Sequence, residues 1–92
     1  MEENMLSFGI YFRDTDDNEY YATVYKSKVP TTLYAVHFYD QITKDQYDVL
    51  IIGVGLGEFV VIDYPETLIP NISELVVEEI RKYLSEINEP IE

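Results

Sequence analysis

From Leu6 the chain alternates: Leu6, Phe8, Ile10 and Phe12 fall on one side of an extended strand, with Ser7, Gly9, Tyr11 and Arg13 on the other. A period of two predicts a strand over residues 5–13. The next five residues, DTDDN at 14–18, are turn formers and predict a hairpin loop. EYYATVYK continues with aromatic and β-branched residues, a second strand over 19–27. Pro30 cannot donate to a ladder and marks the next break. LYAVHFYD predicts a third strand over 32–40, ended by the polar QITKDQ, and YDVLIIG and EFVVIDY predict strands over 46–53 and 58–64.

After Pro65 and Pro70 the period changes. Ile72, Leu75, Val76, Ile80, Tyr83, Leu84 and Ile87 recur at spacings of three and four, one stripe of an amphipathic helix over 72–88. Asn71 with Glu74 reads as a capping-box start, Glu78 with Lys82 as a supporting pair one turn apart, and Asn88 and Pro90 as the stop. Five strands in short succession and one helix predict a single α+β domain over residues 1–92. Its architecture is an antiparallel five-stranded meander with the helix packed on one face. The runs VLII and FVVI are apolar towards both faces, whereas one helix covers only one. A second copy of the chain in a homodimer, packed tyrosines or a curled sheet would cover the other, with Ile52 and Val60 as the residues to test.

Charge changes the picture most. Eighteen acids against six bases give a net charge of −12 on a chain that is 47% hydrophobic and carries nine tyrosines. Disordered chains combine high charge with few aromatic and β-branched residues, so this composition points to a folded domain. Its surface repels nucleic acid and anionic membranes and attracts basic proteins. No cysteine is present, which excludes disulfides and thiolate metal sites. The opening MEENMLSFGIYF has acids where a secretory leader carries bases, and no apolar run reaches membrane-spanning length, so the expectation is a soluble cytoplasmic protein.

The stretch DVLIIGVGLGEFVVID places glycines at 53, 55 and 57. A dinucleotide fingerprint needs its third glycine one residue later and a helix after it; here Glu58 and a strand-like run follow. The glycines therefore predict a hairpin turn near 55–57. Asp14, Asp16 and Asn18 have the spacing that opens a calcium loop, but position six is Glu19 and position twelve is Tyr25, so the segment reads as an acidic hairpin tip. His37, the single histidine, shares a strand face with Leu33, Ala35 and Tyr39, while Asp40 points the other way. No serine lies in a nucleophile elbow. No catalytic, cofactor-binding or metal-ligating residue is assigned, and Tyr11, Tyr21 and Tyr25 are expected to form a cross-strand ladder.

In an up-and-down meander alternate connections share an end. One end would then gather Asp14, Asp16, Asp17, Glu19, Asp40, Asp45, Asp48, Asp63 and Glu66, with only Arg13 and Lys44 nearby. The other end would carry Lys26, Lys28 and the glycine turn. This pattern implies a non-enzymatic protein-binding module whose acidic rim engages a basic surface, such as that of a nucleic-acid-binding protein, in the manner of inhibitors that mimic nucleic acid. The alternative is an assembly subunit acting through its apolar sheet face.

Overall fold

A computed structural model describes residues 5–28, 30–68 and 71–92. The acidic residues 2 and 3 and the break at Pro70 lie outside the described residues. Strands β1 (Met5–Arg13), β2 (Glu19–Ser27), β3 (Leu33–Tyr39), β4 (Gln46–Gly55) and β5 (Glu58–Asp63) precede one helix, α1 (Ile72–Glu86). The sheet order is β1-β2-β3-β4-β5, antiparallel throughout, so the chain is an α+β meander.

Alternation decides which side chains meet the helix. Phe8, Ile10, Phe12, Ala22, Val24, Tyr34, Val36, Phe38, Leu50 and Ile52 are buried on one face, against Ile72, Val76, Ile80 and Leu84 of α1. Burying such a side chain stabilises by about 1.5–3 kcal/mol relative to leaving it in water. The helix lies closest to β1, where Tyr83 stacks on Phe8 with ring centroids 4.0 Å apart. Ile87, placed in the helical stripe by its spacing, is exposed instead, because the helix has already ended.

The helix starts at the expected residue but without the expected cap, and it stops at Glu86 rather than at residue 88. Asn71 occupies the N-cap without a side-chain cap bond, so no capping box forms. Lys82 pairs with Glu79 at 3.4 Å rather than with Glu78. At the C-terminus Asn88 takes the left-handed conformation (φ 59°), its N–H donates to Ser85 and the Glu89 N–H donates to Leu84. These bonds form a Schellman stop, a role asparagine fills when glycine is absent.

Two glycines of the run are demanded by the backbone, each for its own reason. Leu56 and Gly57 both have positive φ (57° and 76°), which closes β4 onto β5 by a primed two-residue turn between the paired Gly55 and Glu58. Gly53 lies in the body of β4, where the Cβ of any other residue would stand 2.6 Å from Ile62 Cδ1. Ile62 is the extra residue of a β-bulge, since Ile52 pairs with Val61 but Ile51 pairs with Asp63. Leu56 is fully exposed and strained. Leu56→Asn should therefore raise stability by about 0.5–1 kcal/mol and Gly57→Ala lower it by about 1–2 kcal/mol. Urea denaturation of the two variants reads both signs.

The sequence pattern gave Lys26 to an edge together with Lys28, but the structure buries it: alternation after Ala22 and Val24 turns it to the core side, where it is 1% exposed. Its ammonium donates to the Pro90 carbonyl at 2.5 Å and to Glu89 Oε2 at 3.3 Å, and lies 5.5 Å from the centre of the Tyr34 ring. The Tyr34 hydroxyl donates to the Ile91 carbonyl at 2.6 Å. Lys28 reaches the same Glu89 carboxylate at 3.2 Å. The segment after α1 is thus latched across β2 and β3. Lys28 and then Lys26 hold the Glu89 carboxyl below its ordinary range, while burial lowers the pKa of Lys26.

Candidate protein-binding surface

The consecutive strand order puts the β1–β2 and β3–β4 loops at one end of the sheet. Both loops are organised by an aspartate. Asp14 Oδ1 accepts the N–H groups of Asp16 and Asn18, each at 2.9 Å, and Oδ2 accepts from Asn18 Nδ2 at 3.1 Å and from the Tyr20 hydroxyl at 3.0 Å. Partial burial raises the Asp14 pKa, but the bonds from Asn18, Tyr20 and Asp16 together outweigh it and hold the carboxyl below its ordinary value. The Tyr20 hydroxyl is pushed up to about 12 by burial and by its bond to that carboxylate. Asp40 Oδ1 likewise accepts from the Ile42 and Thr43 N–H groups at 2.8 and 3.0 Å, which hold its pKa down. What resembled the opening of a calcium loop is a turn whose first carboxylate is already engaged by the loop's own donors.

The remaining acids divide by partner. Arg13 binds Asp17 at 3.0 Å and Glu19 at 2.9 Å, and its Nε donates to the Tyr11 hydroxyl at 2.8 Å. Asp48 turns to the helix side and accepts from the Thr67 hydroxyl. Asp16, Asp45, Asp63 and Glu66 have no hydrogen-bond or ion-pair partner for their carboxylates among the described residues. Asp63 does not reach the loop end. Strand β5 stops opposite Ile51, five residues along β4 from Gln46, which is about 16 Å of strand. The acidic end thus consists of the two loops with Glu19 and Asp48, and the Thr67–Asp48 bond brings the segment that carries Glu66 alongside, while Asp63 is left out.

On the face away from the helix an aromatic ladder leads into that end. Tyr11 and Tyr21 have ring centroids 5.0 Å apart, and Tyr21 and Tyr39 6.3 Å apart. Tyr25 leaves the ladder and meets His37 edge-on at 4.9 Å. The Tyr21 hydroxyl donates to Glu19 Oε1 at 3.0 Å, so the ladder and the acids are joined directly. Where they meet, Glu19, Tyr21, Tyr39, Asp40, Ile42 and Tyr47 line a groove of about 270 Å³, with Ile42 almost wholly in solvent. Tyr47 arrives there through a register shift: Phe38 pairs with Asp48 and Tyr39 with Gln46, so Tyr47 is the extra residue of a bulge. Sequence reading missed Tyr47 because strict alternation has no place for a bulged residue.

His37 accompanies Leu33, Ala35 and Tyr39 on the open face, and its Nδ1 lies 3.1 Å from Gln46 Oε1. Among the described residues no carboxylate bonds to it. Among the described residues no three histidine, aspartate or glutamate side chains come together in a metal-binding group, and no helix is long and apolar enough to cross a membrane. Ile52 is fully buried in the core, so Ile51, half-buried beside Val60 and Ile62, is the open-face residue. No protein-family model, curated protein or solved structure matches this sequence.

Proposed function

We propose that the protein is a non-enzymatic binding module that engages a basic protein surface through its loop end. The observation that carries this reading is the groove in which the tyrosine ladder meets Glu19 and Asp40. Aromatic faces beside carboxylates suit a guanidinium or ammonium, which gains ring contact on one side and charge on the other. Tyrosines supply large contact area at small entropic cost, and the net charge of −12 speeds encounter with a cationic partner. A partner that binds nucleic acid through the same basic surface would be blocked by it.

The test is capture of partners from lysate at low and high salt, followed by affinity measurement with the captured protein. The expected partner is basic and is released by salt. Asp16→Lys with Asp45→Lys changes only carboxylates without internal partners, and should weaken binding about tenfold. Tyr39→Ala should cost about tenfold or more, as expected of a ring at the centre of a contact. Asp14 is left intact because it builds the loop.

A second reading is supported by the open face itself, where Val60 and Ile62 are 50% and 59% exposed beside Ile51. This would be an assembly subunit, including a homodimer, that binds through apolar contact. A complex that survives high salt and is lost in Ile51→Lys would replace the first reading with this one.

A further inference from the structure

Strand β5 is an edge of the sheet and the helix does not cover it. The helix leans on the opposite edge, β1, so the core-side residues of β5 are left half in water: Phe59 is only partly buried and Val61 is 41% exposed. Between β5 and α1 runs a groove of about 430 Å³. Phe59, Val61 and Val77 form its apolar floor, and Glu74 and Glu78 stand on its helix side. Arg81, the one base lining it, is already engaged, with its guanidinium 4.9 Å from the Phe59 ring centre and 3.7 Å from Glu58.

We propose that β5 and this groove accept an extended segment of a partner protein as a sixth strand, and that the segment has an apolar centre flanked by basic residues. An edge strand offers unpaired N–H and C=O groups on its outer side, which is the geometry of strand addition. The apolar centre of the incoming strand meets Val60, Val61 and the groove floor. Its ends meet Glu58 and Asp63, the two ends of β5, and its groove side meets Glu74 and Glu78. The same charges disfavour a second copy of this chain. Antiparallel self-pairing of EFVVID sets Glu58 opposite Asp63 at both ends, between molecules of net charge −12 each. The other edge is a poorer acceptor, because its core-side residues Phe8, Ile10 and Phe12 are already buried beneath α1.

This groove shares no lining residue with the groove at the loop end, so either can fail without the other. The probe is a blocked peptide with lysine pairs flanking a valine–threonine core, titrated into the labelled protein while backbone amide shifts are recorded. The expected result is saturable movement of the amides of β5 and of Glu74, Val77 and Glu78, with Tyr11 and Tyr21 unmoved. Glutamate pairs in place of lysine pairs, or Glu74→Lys with Glu78→Lys in the protein, should weaken binding about tenfold. Val61→Lys, at a half-exposed position, should block binding while thermal melting shows that the fold remains. Equal binding of the glutamate peptide, shifts confined to the loop end, or β5 shifts that follow protein concentration without peptide would each overturn the proposal.

Discussion

Truncation after Asn88 is expected to cost about 2–4 kcal/mol in urea denaturation, although it removes only four residues from the end of the chain. The loss comes from what those residues cover. Lys26 would keep its place on the core side of β2 but lose the Pro90 carbonyl and the Glu89 carboxylate, and Tyr34 would lose the carbonyl its hydroxyl bonds. A charge left near the core without a partner is more costly than the pair was worth. Lys26→Met should be close to neutral in the intact chain, where it removes a buried charge along with its bonds, and should recover stability in the truncated one. If the two effects are equal, the lysine and the tail are not coupled. Acid provides an independent check. The Glu89 carboxyl has a lowered pKa in the folded state, so its contribution is complete above the ordinary glutamate range and is lost as pH falls through the lower folded value. In the truncated chain that part of the acid transition should be missing.

Phe38→Ala should cost about 3–5 kcal/mol, or about 12–30 °C in Tm for a domain of this size. Phe38 is fully buried in the central strand and joins three rings: Phe12 at 6.5 Å, Tyr20 at 6.3 Å and Tyr47 at 6.2 Å between centroids. Two of those rings position the loop end, since Tyr20 bonds Asp14 and Tyr47 lines the groove. The substitution is therefore expected to weaken partner binding beyond what the unfolded fraction explains. Phe38→Leu, which keeps most of the volume, should cost less than about 1.5 kcal/mol and restore binding. Calorimetry and affinity measured on both variants separate the two effects.

The fold was legible because its two periods are clean. Alternation from Leu6 to Phe12 and from Leu33 to Tyr39 left little doubt about face or register, and the change to three- and four-residue spacing after Asn71 marked the helix. Bulges were not legible. The extra residues Tyr47 and Ile62 interrupt β4 and β5 without any turn former to announce them, whereas the faces of Ile51 and Ile52 follow from their pairing with Ala35 and Tyr34 of β3. The shortness of β5 removed Asp63 from the acidic end for the same reason: a strand's length against its neighbour is set by pairing, not composition. Clustering of acids followed from topology alone, but which of them are engaged depended on side-chain geometry. Nothing in DTDDN distinguishes Asp14, which holds the loop, from Asp16, which faces solvent. Lys26 was overlooked because its charge suggested water while its position in the alternation pointed inward.

The latch also bears on the order of events in folding. Every strand pairing in the meander joins neighbours in sequence, whereas Lys26 and Pro90 are 64 residues apart. Loop closure of that length gains nothing until the sheet supplies a surface to close on, so the tail docks late. Substitutions in it should leave the refolding rate nearly unchanged and appear almost entirely as faster unfolding. The segment after α1 would then set how long the native state persists rather than how quickly it is reached.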